Sequence, residues 1–178
     1  MSGSGKTTAA RRIAARVDVP FHELDMLAFG PNWSTAPRFV ESVEQIVAEP
    51  AWVFDSWGYP QVRDAMWAAA DTIVWLDFPA RVVLPHLVHR SLVRTVTRAE
   101  IFNGNRETWS GWLSKDHPVW HALTSFEARR KYLADRIHGA TSQHTRTFRF
   151  TRRREFDRWL GTLGRKGAAG QRAGRPSA

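Results

Sequence analysis

The 178-residue chain contains no cysteine. This excludes disulfides and thiolate metal sites, and it fits a cytoplasmic protein, which is the location expected. No apolar run approaches the roughly eighteen residues of a membrane span, so no membrane partner is expected. The first residues also lack the basic-then-apolar pattern of a secretory segment. Acidic residues are the minority, 17 against 26 basic ones, for a net charge of +9. Residues 161–178 have no acid and carry Arg165, Lys166, Arg172 and Arg175. That stretch has no apolar period and is expected to be a disordered basic tail. The excess of positive charge points to anionic partners such as nucleotides, phosphates or nucleic acid; a solvated basic surface is the alternative.

Against these absences stands the opening stretch, MSGSGKTTAARR. Residues Ser2 to Thr8 read as the second half of the phosphate-binding pattern G-x-x-x-x-G-K-[ST]. In such a loop glycines let several N–H groups converge on one phosphate, and the following helix adds its positive end. Gly3, Ser4, Gly5, Lys6, Thr7 and Thr8 are the candidate ATP-binding residues. Lys6 would reach the β- and γ-phosphates, the Thr7 hydroxyl would ligate Mg²⁺, and Thr8 would add a hydroxyl. The alternative is a glycine-rich scrap ahead of a helix. The leading glycine would fall one position before Met1, and the strand that feeds such a loop is not in the chain. Met1 is therefore expected to be an internal methionine, not the natural start.

Residues 6–17 predict a helix with Ala10, Ile13, Ala14 and Val17 on one face. A short strand over 19–25 ends near Asp25, and a helix near 37–48 has Pro37 in its first turn. The runs AWVFD (51–55) and DTIVWLD (71–77) read as strands buried on both faces, each ending in an acid. A helix near 80–97 follows, then a polar stretch over about 99–116 where a lid would lie. A helix over 118–138, with Asp116 available as its cap, a strand over 146–151 and a last helix complete the order. Alternating helices and strands predict an α/β domain over about 1–160, built on a parallel sheet. Ligands of such folds sit beyond the carboxyl ends of the strands, where Asp25, Asp55 and Asp77 are expected.

Asp25 would position or deprotonate an attacking hydroxyl; a turn-forming aspartate is the alternative. Asp55 would bind the acceptor or Mg²⁺ through water, or else form a turn. Asp77 has the character of a metal-orienting acid, with capping of the next helix equally open. His86, Arg90, Arg94 and Arg98 are spaced by four and would share a helical face if the helix runs as far as Arg98. Arg90, Arg94 and Arg98 would clamp the charge on a transferring phosphoryl group, or form a solvated basic face. Arg106 is a substrate-binding candidate, and Arg129 and Arg130 are further lid candidates. His117 and His121 lack an intervening glutamate and a third ligand, and read as packing or surface residues. Most of the nine tryptophans are expected in the core or in helix packing, with one or two free to stack on a base.

With GSGKTT, HELDMLAFGPNW, WVFD, ADTIVWLDFP, the arginine-rich helix and EIFNGNRE in place, the chain resembles bacterial adenylate-kinase-like P-loop proteins, also labelled DNA topology modulation protein-like. The resemblance spans about residues 2–160; its LDxLxxGPNW and NGNRE stretches are more specific than the loop. It implies a three-layer P-loop kinase fold, with the absent first strand in the middle of the sheet, and ATP and Mg²⁺ at the loop. Gly3, Gly5, Lys6, Thr7 and Thr8 match the loop, Asp25 the acid after the second strand, and Asp55 the acid of the acceptor stretch. That stretch reads DSWGYP here, with Ser56 in place of the usual glycine. The reading that leads is an ATP-dependent phosphotransferase acting on a nucleotide or small-molecule acceptor. The alternatives are a nucleic-acid-associated ATP-binding regulator and an inactive truncated remnant.

Overall fold

The computed structural model describes residues 3–114, 117–139 and 145–164. Helix α1, Lys6–Val17, opens on Gly5 in the left-handed region (φ 81°) and ends at Asp18, also left-handed. Its buried face is Ala9, Ala10 and Ala14. Small side chains at this spacing let the helix lie close against its neighbours. Strand β1, Phe21–His22, leads within two residues into a short helix, α2, Leu24–Ala28. A 3₁₀ turn, Pro31–Trp33, precedes α3, Phe39–Val47, which buries Phe39, Val43 and Ile46 at spacings of four and three. Next come β2 (Val53–Phe54), α4 (Arg63–Ala69), β3 (Thr72–Leu76) and α5 (Ala80–Thr97). A hairpin of β4 (Glu100–Ile101) and β5 (Asn105–Arg106) follows, then a 3₁₀ turn at Ser110–Leu113. The last elements are α6 (Pro118–Gly139), β6 (Arg146–Phe150) and α7 (Arg153–Thr162).

The architecture is mixed α/β, and its longest pairing, β3 with β6, is parallel. Strands β1 and β2 pair with Phe21 opposite Val53, and β3 and β6 pair over five residues from Thr72 opposite Arg146. Strands β4 and β5 run antiparallel. One core joins Ala9 of α1, Leu76, Val83, Phe126, Phe150 and Phe156. A second gathers Leu24, Phe39, Val43, Val62 and Met66 around α2, α3 and α4.

Several expected boundaries move. The strand expected over 19–25 shortens to two residues, because the Leu24 N–H bonds the Asp55 carboxylate at 3.1 Å and the chain turns into α2. Asp25 therefore stands in the first turn of α2, not at the end of a strand. Pro37 lies two residues ahead of α3, in a turn. Residues 161 and 162, expected in the tail, belong to α7. Asp116 and residues 165–178 fall outside the described residues, as do Met1 and Ser2. Among the described residues no helix is long and apolar enough to cross a membrane.

The stretch expected as a lid is tied down by its asparagines. Asn105, 4 % exposed, accepts the Trp33 N–H at 2.7 Å and donates to the Gly30 and Phe102 carbonyls at 2.9 and 2.6 Å. Asn103 donates to the Met26 and Phe29 carbonyls at 3.0 and 2.6 Å. The NGNRE hairpin thus clamps the GPNW turn, whose Asn32 and Trp33 both hold positive φ. Asn105→Ala would remove the side-chain partner of three backbone groups, the Trp33 N–H and the Gly30 and Phe102 carbonyls. It is expected to cost about 1–3 kcal/mol in urea unfolding, against less for the exposed Asn103→Ala.

Candidate functional site

The loop from Gly3 to Thr8 enters α1 where two elements meet it. On one side a Cβ at Gly3 would lie 2.8 Å from both the Leu87 Cβ and the Val83 carbonyl oxygen of α5, so this left-handed glycine (φ 84°) has no room for a side chain. On the other side the Thr7 hydroxyl donates to the Asp55 Oδ2 at 2.5 Å. Asp55 is 9 % exposed and directly follows β2. Its other oxygen holds the Leu24 N–H, so one carboxylate joins the loop, β2 and α2. A Cβ at Gly5 would meet nothing within 4 Å, which leaves open space over the helix start.

Lys6 lies among Asp55, Asp25 and Arg90. Burial lowers its pKa, against the opposing pull of the two carboxylates. Asp25 accepts the Tyr59 hydroxyl at 2.7 Å. Burial and that hydrogen bond push the Tyr59 pKa far above its usual value, so this phenol stays a donor. From α5, Arg90 faces the same group; burial and the neighbouring Arg94 lower its pKa. The buried Arg90 Nε has no hydrogen-bond partner among the described residues. Arg94 reaches the buried Glu107 at 3.2 Å. The structure thus brings together Gly3, Lys6, Thr7, Asp25, Asp55, Arg90 and Arg94, with Ser4 buried behind them and Thr8 exposed at the helix surface.

Other expected site residues lie elsewhere. Arg98 is the left-handed residue that ends α5 and is exposed, so the four-residue spacing fails at its last member; His86 at the other end is exposed as well. Arg106 pairs across its hairpin with Glu100. Asp77 caps no helix, since Pro79 begins α5 without a side-chain bond. It is 1 % exposed and binds Arg130 at 2.7 and 3.0 Å and Arg149 at 2.9 and 2.5 Å. This commits Arg130 to structure. Burial and the nearby Arg63 lower the Arg129 pKa.

His117 is a packing residue. It is 6 % exposed, stacks on Trp112 with ring centres 4.5 Å apart, and lies 3.9 Å from Glu107. The His121 side chain lies outside the described set. Burial lowers the His117 pKa, while Glu107 raises it less. A histidine whose folded pKa is depressed leaves the unfolded chain binding more protons, so stability falls as pH drops through the unfolded value of about 6.5. The thermal midpoint is expected to decline below that pH, and to decline less steeply in His117→Gln.

Comparison with family models, with curated proteins and with solved structures finds no match to this chain. The site is therefore read from its own chemistry. Tyr59 and Glu107 are the two members that sequence reasoning missed. Tyr59 follows Asp55 by four residues in DSWGYP, and only that proximity hinted at it. Glu107 closes NGNRE, whose arginine drew attention instead.

Proposed function

We propose that the chain is an ATP-binding phosphotransferase of the nucleotide- or small-molecule-kinase type, related to adenylate-kinase-like P-loop proteins. The observation that carries this reading is the convergence of the glycine loop, the Lys6 ammonium and the Thr7–Asp55 pair with Asp25 and Arg90 from separate elements.

The residues fit a nucleotide triphosphate. The open space over Gly5, at the positive end of α1, admits a phosphate group close to backbone N–H donors. The partnerless Arg90 Nε offers a buried donor. Mg²⁺ takes one or two protein oxygens and completes its shell with water and phosphate. Thr7 and Asp55 are the residues that would hold it. When bound, Mg²⁺·ATP supplies the phosphoryl group and part of the charge neutralisation.

The chain's own groups then divide the work. Lys6 and Arg90 neutralise developing negative charge, and Arg94, steadied by Glu107, adds to that field at longer range. Asp25 orients an acceptor hydroxyl and takes its proton, with Tyr59 fixing the carboxylate's rotamer. A screen of nucleoside monophosphates and small hydroxy compounds with Mg²⁺·ATP tests the reading. Phosphate transfer to one acceptor class is expected, and it should fall at least about a hundredfold in Asp25→Asn. Failure to bind Mg²⁺·ATP at all would overturn the proposal.

A further inference from the structure

Glu107 stands between an arginine of the site and a histidine outside it. Its Oε1 accepts an Arg94 N–H at 3.2 Å, and its Oε2 lies 3.9 Å from the His117 Nε2. These two facing atoms are buried, and neither has a hydrogen-bond partner among the described residues. The other nitrogen of the ring is engaged. His117 directly precedes Pro118, the first residue of α6, and its Nδ1 accepts the Val119 N–H at 3.4 Å. That bond satisfies one of the free donors at the start of a helix. It also sets the tautomer, because an accepting Nδ1 leaves the proton of the neutral ring on Nε2. From the 3₁₀ turn Trp112 meets the ring face, an uncharged contact. Among the described residues the charges bearing on His117 are Glu107 and, behind it, Arg94 and Arg90. Lys115 and Asp116 lie outside the described residues.

The 3.9 Å separation exceeds a hydrogen bond by about 1 Å, which a small side-chain rotation covers. A neutral ring gains little by closing it, since the move gives up the Val119 bond. A second proton reverses this balance. It lands on Nδ1, which then no longer accepts, and it puts a positive charge at the start of α6, where the helix dipole opposes it. It also makes the Nε2–H a charge-assisted donor to the carboxylate, roughly twice as strong as a neutral one. The protonated ring therefore turns from the helix towards Glu107, in competition with Arg94. We propose that His117 is a positioning residue for the site arginines: its protonation draws Glu107 away from Arg94 and frees that guanidinium for an anionic ligand. This rests on the reading of Arg90 and Arg94 as part of the nucleotide site. Glu107 also stabilises the Arg90 charge, so engaging it elsewhere strengthens the positive field at both arginines. Anion affinity then rises as pH falls through the His117 titration. By reciprocity a bound anion raises the pH at which His117 takes up its proton.

The sharing of Glu107 is read first without any ligand, by NMR of the His117 imidazole and the Arg94 guanidinium between about pH 5 and about pH 8. In the unsubstituted chain the Arg94 signal is expected to move with the His117 midpoint. Arg94→Met should raise that midpoint by at least about half a pH unit, because Glu107 then serves the imidazole alone. In a Glu107→Gln background the same substitution should move it less than about half as far. An Arg94 signal that stays fixed through the His117 titration would overturn the proposal. So would equal midpoint changes in the two backgrounds, which would mean direct repulsion between two cations. The second readout is Mg²⁺·ATP affinity, taken at each pH as the ratio to His117→Gln, which cancels the titration of the nucleotide itself. The ratio is expected to rise at least about threefold from about pH 8 to about pH 5, and to stay flat when both chains carry Glu107→Gln. A flat ratio in the unsubstituted pair would overturn the role in binding. Absence of ATP binding at every pH would sink the nucleotide reading, while the ligand-free NMR would still decide the sharing of Glu107.

Discussion

Asp77→Ala is expected to lower the unfolding free energy by about 3 kcal/mol, a large share of the roughly 5–15 kcal/mol that holds a domain together. The carboxylate is fully withdrawn from solvent and accepts two bonds from Arg130 on α6 and two from Arg149 on β6. It thus pins the end of β3 to its partner strand and to a helix packed nearby. Removing it leaves two guanidinium groups without their common partner. Both keep a route to water, at 37 % and 49 % side-chain exposure, which places the loss at the low end of the range for a broken buried pair. Arg130→Ala and Arg149→Ala should each cost less, because Asp77 retains one partner; Arg149→Ala should be the costlier of the two, since it also loses the stack over Trp75 at 4.6 Å. Urea unfolding of the three single variants and the Arg130/Arg149 double variant checks the order. A cost below about 1 kcal/mol for Asp77→Ala would show that the triad is a solvated surface pair in effect.

The same aspartate shows where sequence reasoning reaches its limit. Its position after β3 was legible from the apolar run DTIVWLD. Its partners stand 53 and 72 residues away, and no local pattern couples them. Helices α1 and α5 were legible because each carries many periodic residues, and α5 spans 80–97 despite Pro85 in its interior. For Arg98 the condition fails by one residue: the spacing of four extends to it, but the chain leaves the helix there through a left-handed turn. Asp25 was recognised as an acid near the loop, while its short helix was not, since five residues hold too little period to read. The NGNRE stretch looked like a lid because it is polar. Its polarity instead satisfies the backbone of a turn some 75 residues earlier, a pairing visible only in three dimensions.

Lys6→Ala is expected to abolish measurable Mg²⁺·ATP binding and to reduce phosphate transfer by at least about a hundredfold. The ammonium belongs to the first residue of α1, and burial already works against its charge. Asp55 and Asp25 oppose that effect. A triphosphate would supply the additional negative charge that such a group is suited to meet. The alanine variant would also remove a positive charge that Asp25 and Asp55 both feel, so a drop in stability accompanies the loss. Thermal shift separates the two effects. Ligand present at about a hundredfold over Kd stabilises a binding protein by about 2.7 kcal/mol, so the unsubstituted chain should show a clear nucleotide-dependent rise in midpoint. Lys6→Ala should start lower and show none. Lys6→Met, similar in length but uncharged, repeats the loss of the shift if charge is what matters. A preserved shift in both variants would remove Lys6 from the site and with it the phosphotransferase reading.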